Sequence, residues 1–273
     1  MTVEQTVTRH YARPGIAESI LDAVRAGLPD GAALSIADLA PADEFHMGGI
    51  EATRHFVAML GLRPDMKVLD IGSGIGGTAR YIAQETGADV TGIDLTPEYV
   101  EAAGVLSRAV GLENRTHFRC ASALDLPFDD GSFDAAVSLH VAMNIADKAA
   151  LYREAARILR PGAVLGLYDV LAGPGEGPLV FPVPWAAGPQ ASWLASPEEM
   201  RVLLDGAGFD ILAEEDRRAE ALDFFARIAA RGTPPPVGIH LLVGDGFRER
   251  MTNIRTNLEA HRCAPHIFIC RKR

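Results

Sequence analysis

The chain has 273 residues, 48 % of them apolar and 23 % charged, which is the composition of a globular protein able to bury a sizeable core. Its formal net charge is −10, and beyond the short run Arg271-Lys272-Arg273 it has no Lys/Arg cluster that would build a basic face, which argues against a nucleic-acid partner. No apolar run is long enough to span a bilayer, no signal-peptide pattern opens the chain, and Cys120, Cys263 and Cys270 lack CxxC spacing, so the expectation is a reduced, cytoplasmic protein with no membrane partner.

Residues 14–27 (PGIAESILDAVRAG) read as a helix started by Pro14 and stopped by Gly27, and residues 49–61 as a second, with a polar connector, ALSIADLAPADEFHMG, between them. From Lys67 a regular alternation begins. Strands are expected at 67–72, 89–94, 115–121, 133–140 and 163–170, and helices at 76–86, 97–111 and 146–160, the last ended by Pro161-Gly162. Such alternation implies right-handed crossovers and an α/β fold with a mostly parallel sheet covered on both faces. After Val170 the rhythm breaks. Residues 172–197 are rich in Gly and Pro and carry Trp185 and Trp193, a long irregular connection of the kind that is usually functional. A helix at 197–207 and a strand at 209–215 follow. Two helical stretches then flank Pro234-Pro235-Pro236, the second with Phe247, Met251, Ile254 and Leu258 on one face, before a last strand at 265–272. The expected organisation is an N-terminal helical segment, 1–62, over a core, 63–273, whose lid comes from 172–197 and 217–261.

The strongest chemical signal is Asp70-Ile71-Gly72-Ser73-Gly74-Ile75-Gly76-Gly77, which leaves a strand and opens a helix. Gly72 permits the tight turn, and Gly74, without a Cβ, lets a ligand approach the backbone. Asp94 ends the next strand, where a carboxylate can accept hydrogen bonds from both ribose hydroxyls of an adenosine group. Taken alone the turn is ambiguous, because Gly72, Gly74 and Gly77 also satisfy the GxGxxG template of dinucleotide binders. Three features favour S-adenosylmethionine (SAM) over NAD. Asp70 at the strand end suits a ligand carrying an ammonium and a sulfonium rather than a pyrophosphate. Small and apolar residues in ASALDLPF (121–128) can flank an adenine ring. No second phosphate-binding turn follows.

These residues resemble the class I SAM-dependent methyltransferase superfamily: VLDIGSGIGGTARYIA its first motif, VTGIDLTPEYVEAA its ribose-binding motif, ASALDLPFDDGSFDAAVSLHV its adenine and fourth-strand motifs, and ARILRPGAVL its fifth. The resemblance implies a Rossmann-like seven-stranded sheet with one antiparallel strand, N-terminal helices and a helical cap inserted before the last strand. DEFHMGGIEATRHF, HVAMNIADK and FPVPWA are further similar to bacterial sarcosine/dimethylglycine methyltransferase-like proteins, which implies a small-molecule substrate. By the same resemblance Gly72, Ser73 and Gly74 lie against the methionine part of SAM, Asp94 and Leu95 at the ribose, Ala123 and Leu124 beside the adenine, and His46 in a segment folded over the cofactor.

Ligands of open α/β sheets bind outside the carboxyl ends of the strands, so Asp70, Asp94, Ala123, His140 and Asp169 are expected to converge on one crevice. His140 is the candidate base or substrate-orienting donor. Asn144 is the candidate substrate ligand, and Trp185 and Trp193 are candidate cation–π partners for an ammonium. The eight histidines show no metal-ligand spacing, and no metal is expected. The expected reaction is in-line methyl transfer to a small amine, with O- or C-methylation of a secondary metabolite as the alternative and NAD-dependent dehydrogenation as a distant one.

Overall fold

The structure is a computed structural model that describes residues 3–230, 235–244 and 246–273; Pro234 of the triple-proline break lies outside these. Five parallel strands form the first part of the sheet: β1 (Lys67–Ile71), β2 (Asp89–Asp94), β3 (Thr116–Cys120), β4 (Phe133–Leu139) and β5 (Leu159–Ala172). Then β6 (Phe209–Asp216) and β7 (Cys263–Lys272) complete a seven-stranded sheet in the order β3-β2-β1-β4-β5-β7-β6. Strand β7 runs antiparallel to both β5 and β6, so it enters between strands that are already placed. The chain leaves β1 toward β2 on one side and reaches β4 on the other, which opens a crevice at the carboxyl ends of β1 and β4.

Both faces of the sheet are buried, as the apolar runs of the parallel strands require. On one face Leu69, Leu165, Leu167 and Phe268 pack with Leu151 and Tyr152 of α7 (Lys148–Ile158) and Met200 and Leu204 of α8 (Pro197–Gly206). On the other, Val68, Val90, Val137 and Ile267 pack with Phe56 and Val57 of α4 (Gly49–Ala58) and Ala79 and Ile82 of α5 (Gly77–Thr86). Successive residues such as Val68 and Leu69 thus serve opposite cores, which fixes the register of each strand.

The N-terminal part holds more helix than its composition suggests. Besides α2 (Ile16–Arg25), which packs on α6 (Pro97–Ala109), the chain forms α1 (Val3–Tyr11) and α3 (Ile36–Asp43). The latter replaces half of the expected polar connector. Ser35 opens it with a capping box, its hydroxyl and backbone N–H donating to Asp38 Oδ2 at 2.6 and 2.9 Å, and Leu39 and Ala42 are fully buried. The helix expected to reach residue 160 stops at Ile158, and Leu159 to Gly162 already belong to β5. Between β6 and β7 lie α9 (Arg218–Ala230), α10 (His240–Val243) and α11 (Phe247–Glu259), the helical cap. Phe225, Ile254 and Leu258 of this cap form a separate core with Met47, Met143, Val183 and Trp185.

Candidate active site

The glycine turn after β1 is pinned to its neighbour: the N–H groups of Gly72 and Ser73 both donate to the Ile93 carbonyl, at 2.9 and 2.8 Å. Gly72 sits at φ 74°, and a Cβ there would come within 2.4 Å of Val141 Cγ2, so glycine is required by both backbone and space. Gly74, at φ 54°, has nothing within 4 Å of its absent Cβ, because that side faces a cavity of about 360 Å³. This is the size of a small-molecule pocket.

One end of the cavity is polar. Asp70, Ser73, Asp94 and Tyr99 line it, and Asp70 Oδ2, Ser73 Oγ and the Tyr99 hydroxyl are buried without a hydrogen-bond partner among the described residues. Buried polar groups are normally paired, so three unpaired ones around one cavity point to a ligand that completes them. Asp70 is 1 % exposed. Burial, and secondarily the charges of Asp94 and Glu44, push its carboxyl up to about 7, an electrostatic cost that a cationic ligand would relieve. Asp94 is held in place, Oδ2 accepting from Gly74 N at 3.0 Å and Oδ1 from Thr96 N at 2.8 Å. Burial raises this carboxyl too, against the opposing effect of those hydrogen bonds. Leu95, Ala123 and Leu124 line the same end. Another part of the wall is apolar, where Met143, Trp185, Phe225, Met251 and Ile254, from the segment after β4, the β5–α8 connection and the cap, pack in one cluster.

The two cavity histidines differ in their bonding. His140 follows β4 at φ 54°, a conformation uncommon for a non-glycine residue. Its N–H donates to the Tyr168 carbonyl at 2.7 Å, its Nδ1 lies 3.2 Å from the same oxygen, and its Nε2 accepts the Met47 N–H at 3.3 Å. Both ring nitrogens are therefore occupied by backbone. Burial first, and the neighbouring His46 second, push His140 down to about 3, so its ring is neutral. His46 also lines the cavity, with Nε2 2.7 Å from Glu44 Oε2 and 2.8 Å from Thr53 Oγ1. Thr53 in turn donates to Glu44 Oε2 at 2.5 Å.

Asp70, Gly72, Ser73, Gly74, Asp94, Leu95, Ala123, Leu124, His46, His140, Asn144 and Trp185 all lie on the cavity wall. Asn144 has its side chain spent on the protein: Oδ1 accepts from the Tyr11 hydroxyl at 2.9 Å, and Nδ2 donates to the carbonyls of Trp185 and Ala191 at 3.0 and 2.8 Å. Trp185 Nε1 donates to Ser192 Oγ at 2.9 Å. Trp193 stands outside the lining, where its N–H donates to Met143 O and its carbonyl accepts from Lys148. Asp169 also misses the crevice, because β5 continues to Ala172 and leaves it inside the strand, with Oδ1 accepting from Val170 N at 2.8 Å. Sequence reasoning overlooked Tyr11, Tyr99 and Glu44. The first two carried no motif signal, and Glu44 showed itself only as a carboxylate two residues before His46.

The profile of the methyltransferase domain matches residues 69–167, the span that contains the glycine turn, Asp94 and His140. This span is therefore a methyltransferase domain. Among curated relatives, the phosphoethanolamine N-methyltransferase of Triticum aestivum is 35 % identical over 181 residues, covering 66 % of this chain and 35 % of the relative. The chloroplastic tocopherol O-methyltransferase of Arabidopsis thaliana is 42 % identical over 96 residues, 35 % of this chain and 28 % of the relative. The chain thus spans about a third of the length of these relatives. In structure, the geranyl diphosphate C-methyltransferase of Streptomyces coelicolor, solved with S-adenosyl-L-homocysteine (SAH), superposes with a TM-score of 0.73 at 16 % identity, over 100 % of this chain and 98 % of that one, a likeness of fold. The polar end of the cavity fits SAM: an unpaired buried carboxylate at Asp70 for its cationic amino acid part, Asp94 for the ribose, and apolar walls at Leu95, Ala123 and Leu124 for the adenine.

Proposed function

We propose that this chain methylates a small molecule with a largely apolar body, using SAM. The observation that carries this reading is a single cavity that joins unpaired polar groups at Asp70, Ser73 and Tyr99 to an apolar chamber under the cap. When bound, SAM supplies a methyl group activated by its positive sulfur. The protein's own work is then to hold, align and dry the reactants, and alignment alone contributes on the order of 7–11 kcal/mol. Asp70, Ser73, Asp94 and Tyr99 hold the cofactor. Met143, Trp185, Phe225 and Ile254 receive the acceptor and exclude water. The segment 1–62 contributes Tyr11, Phe45, His46 and Met47 to the wall and so covers the site, and the described residues of 172–197 and 217–261, through Trp185, Phe225 and Ile254, form its lid.

A small amine is the acceptor that likeness to the phosphoethanolamine enzyme supports. The side chains of the far chamber favour a less polar molecule, because a small zwitterion needs charged partners there and Met143, Trp185, Phe225, Met251 and Ile254 supply none. Free Cys120, Cys263 and Cys270 suit the reducing cytoplasm, and the charge of −10 does not suit a polyanionic partner. The test is thermal unfolding with SAM, SAH and NAD, each in excess. A ligand at a hundredfold its dissociation constant stabilises the fold by about 2.7 kcal/mol. Stabilisation by SAM and SAH and none by NAD is expected; stabilisation by NAD alone refutes the reading.

A further inference from the structure

Building on the methyltransferase reading, we propose that His46, backed by Glu44, is the general base of the site and that the acceptor is a hydroxyl or an acidic carbon, which must lose a proton as it is methylated. His140 is poorly placed for this work, since Tyr168 O and the Met47 N–H occupy its two ring nitrogens. His46 is bonded differently. Thr53 donates its hydroxyl proton to Glu44, so the contact between Thr53 Oγ1 and His46 Nε2 needs a proton on Nε2. The same nitrogen faces Glu44 Oε2 at 2.7 Å. That leaves Nδ1 as the basic nitrogen. It lies 3.4 Å from the Met47 carbonyl, longer than either ring contact of His140, and that oxygen already accepts from the Tyr168 hydroxyl at 2.7 Å. A carboxylate on one edge of an imidazole and a more weakly engaged nitrogen on the other is the arrangement by which a carboxylate fixes the tautomer and stabilises the imidazolium that forms.

The ionisable groups around this ring are Glu44 on its own segment, His140 after β4 and Tyr168 on β5, and the charge of Glu44 also acts on Asp70 at the end of β1. In the proposed step the acceptor's O–H or C–H bond gives up its proton to His46 Nδ1. The acceptor electron pair forms the bond to the methyl carbon, and the C–S pair stays on sulfur, which becomes a neutral thioether. Glu44 balances the new imidazolium. A neutral amine attacks with its own lone pair and needs no base in this step.

The experiment has a spectroscopic and a kinetic arm. Protein labelled with ¹⁵N-histidine and saturated with SAH is examined by long-range ¹H–¹⁵N correlation, with H46Q and H140Q used to assign the two rings. The proposal requires His46 protonated on Nε2 and bare on Nδ1; a proton on Nδ1 overturns it without any acceptor in hand. Labelled SAM is then offered with phenols, β-dicarbonyl compounds and primary amines. Transfer to the first two classes, with H46Q lowering kcat by about 10²–10⁴-fold and flattening the pH profile, is the expected result. Transfer to amines alone, or an unchanged rate in H46Q, overturns the base. Failure to bind SAH at all, by contrast, removes the methyltransferase reading beneath it.

Discussion

Asp70 gives the sharpest test of how the site is held ready for a cation. Its carboxyl rises from 3.8 to about 7 in the folded chain because burial, Asp94 and Glu44 all oppose its charge. A carboxyl raised on folding contributes stability that is complete below its unfolded pKa and is lost as pH rises through its folded value. The window here runs from about pH 4 to pH 7. Proton linkage over that shift removes roughly 3 kcal/mol between pH 5 and pH 8, at about 1.4 kcal/mol per unit. Asp43 and Asp169, each raised to about 6 mainly by burial, add to the loss in the same direction. Asp70→Asn keeps the shape and removes the charge, but it leaves an amide where Oδ2 has no partner, a penalty of about 1–3 kcal/mol. The variant is therefore expected to be level with or below the native chain at pH 5 and to gain on it by roughly 3 kcal/mol on going to pH 8. Its affinity for SAM should fall at both values, because the carboxylate that receives the cation is gone. Urea unfolding at pH 5 and pH 8, with and without SAM, measures both effects. Parallel pH dependences in the two proteins would refute the claim that Asp70 is a strained carboxyl. Equal SAM affinities would refute the claim that the strain serves the ligand.

Two further expectations follow from the glycine turn and from the bond between the Met47 N–H and His140. Gly72→Ala places a Cβ 2.4 Å from Val141 Cγ2 at a positive φ and should lower stability by about 1–3 kcal/mol in urea unfolding. Adding Val141→Ala should recover the part due to crowding and leave the part due to the backbone, a separation that a double-mutant cycle reads directly. His140→Phe removes the acceptor of the Met47 N–H, a bond contributing about 0.5–1.5 kcal/mol, so hydrogen exchange at Met47 should accelerate by roughly 2–12-fold. Unaltered exchange would show that the Met47 segment is held by other contacts, foremost the Tyr168 hydroxyl on its carbonyl.

What the sequence revealed, and what it hid, divides by the distance over which each feature is decided. Strands β1 to β4 and the glycine turn were legible because apolar periodicity and a positive-φ glycine are local, and a strand end fixes where its last side chain points. Asp70, Asp94 and Ala123 were placed on that basis. Asp169 was misplaced on the same basis, since nothing local says that β5 pairs on to Ala172 until β7 arrives from the far end of the chain, with Ala172 opposite Cys263. Helix α3 was concealed by Pro41 and its acidic composition, although Ser35 and Asp38 carried the capping signal. The histidines depend most on distant partners. His140 had the position of a base, but its Nε2 is taken by Met47, 93 residues earlier in the chain. Asn144 is consumed by Tyr11, Trp185 and Ala191, which come from the N-terminal helix and the connection after β5. His46 keeps its partners, Glu44 and Thr53, within nine residues, so its carboxylate-backed arrangement is the one part of the proton chemistry that a short stretch of sequence encodes. A strand end thus says where a side chain sits. Whether its polar atoms remain available is decided by the segments that fold over it, and here these are the N-terminal helices and the β5–α8 connection.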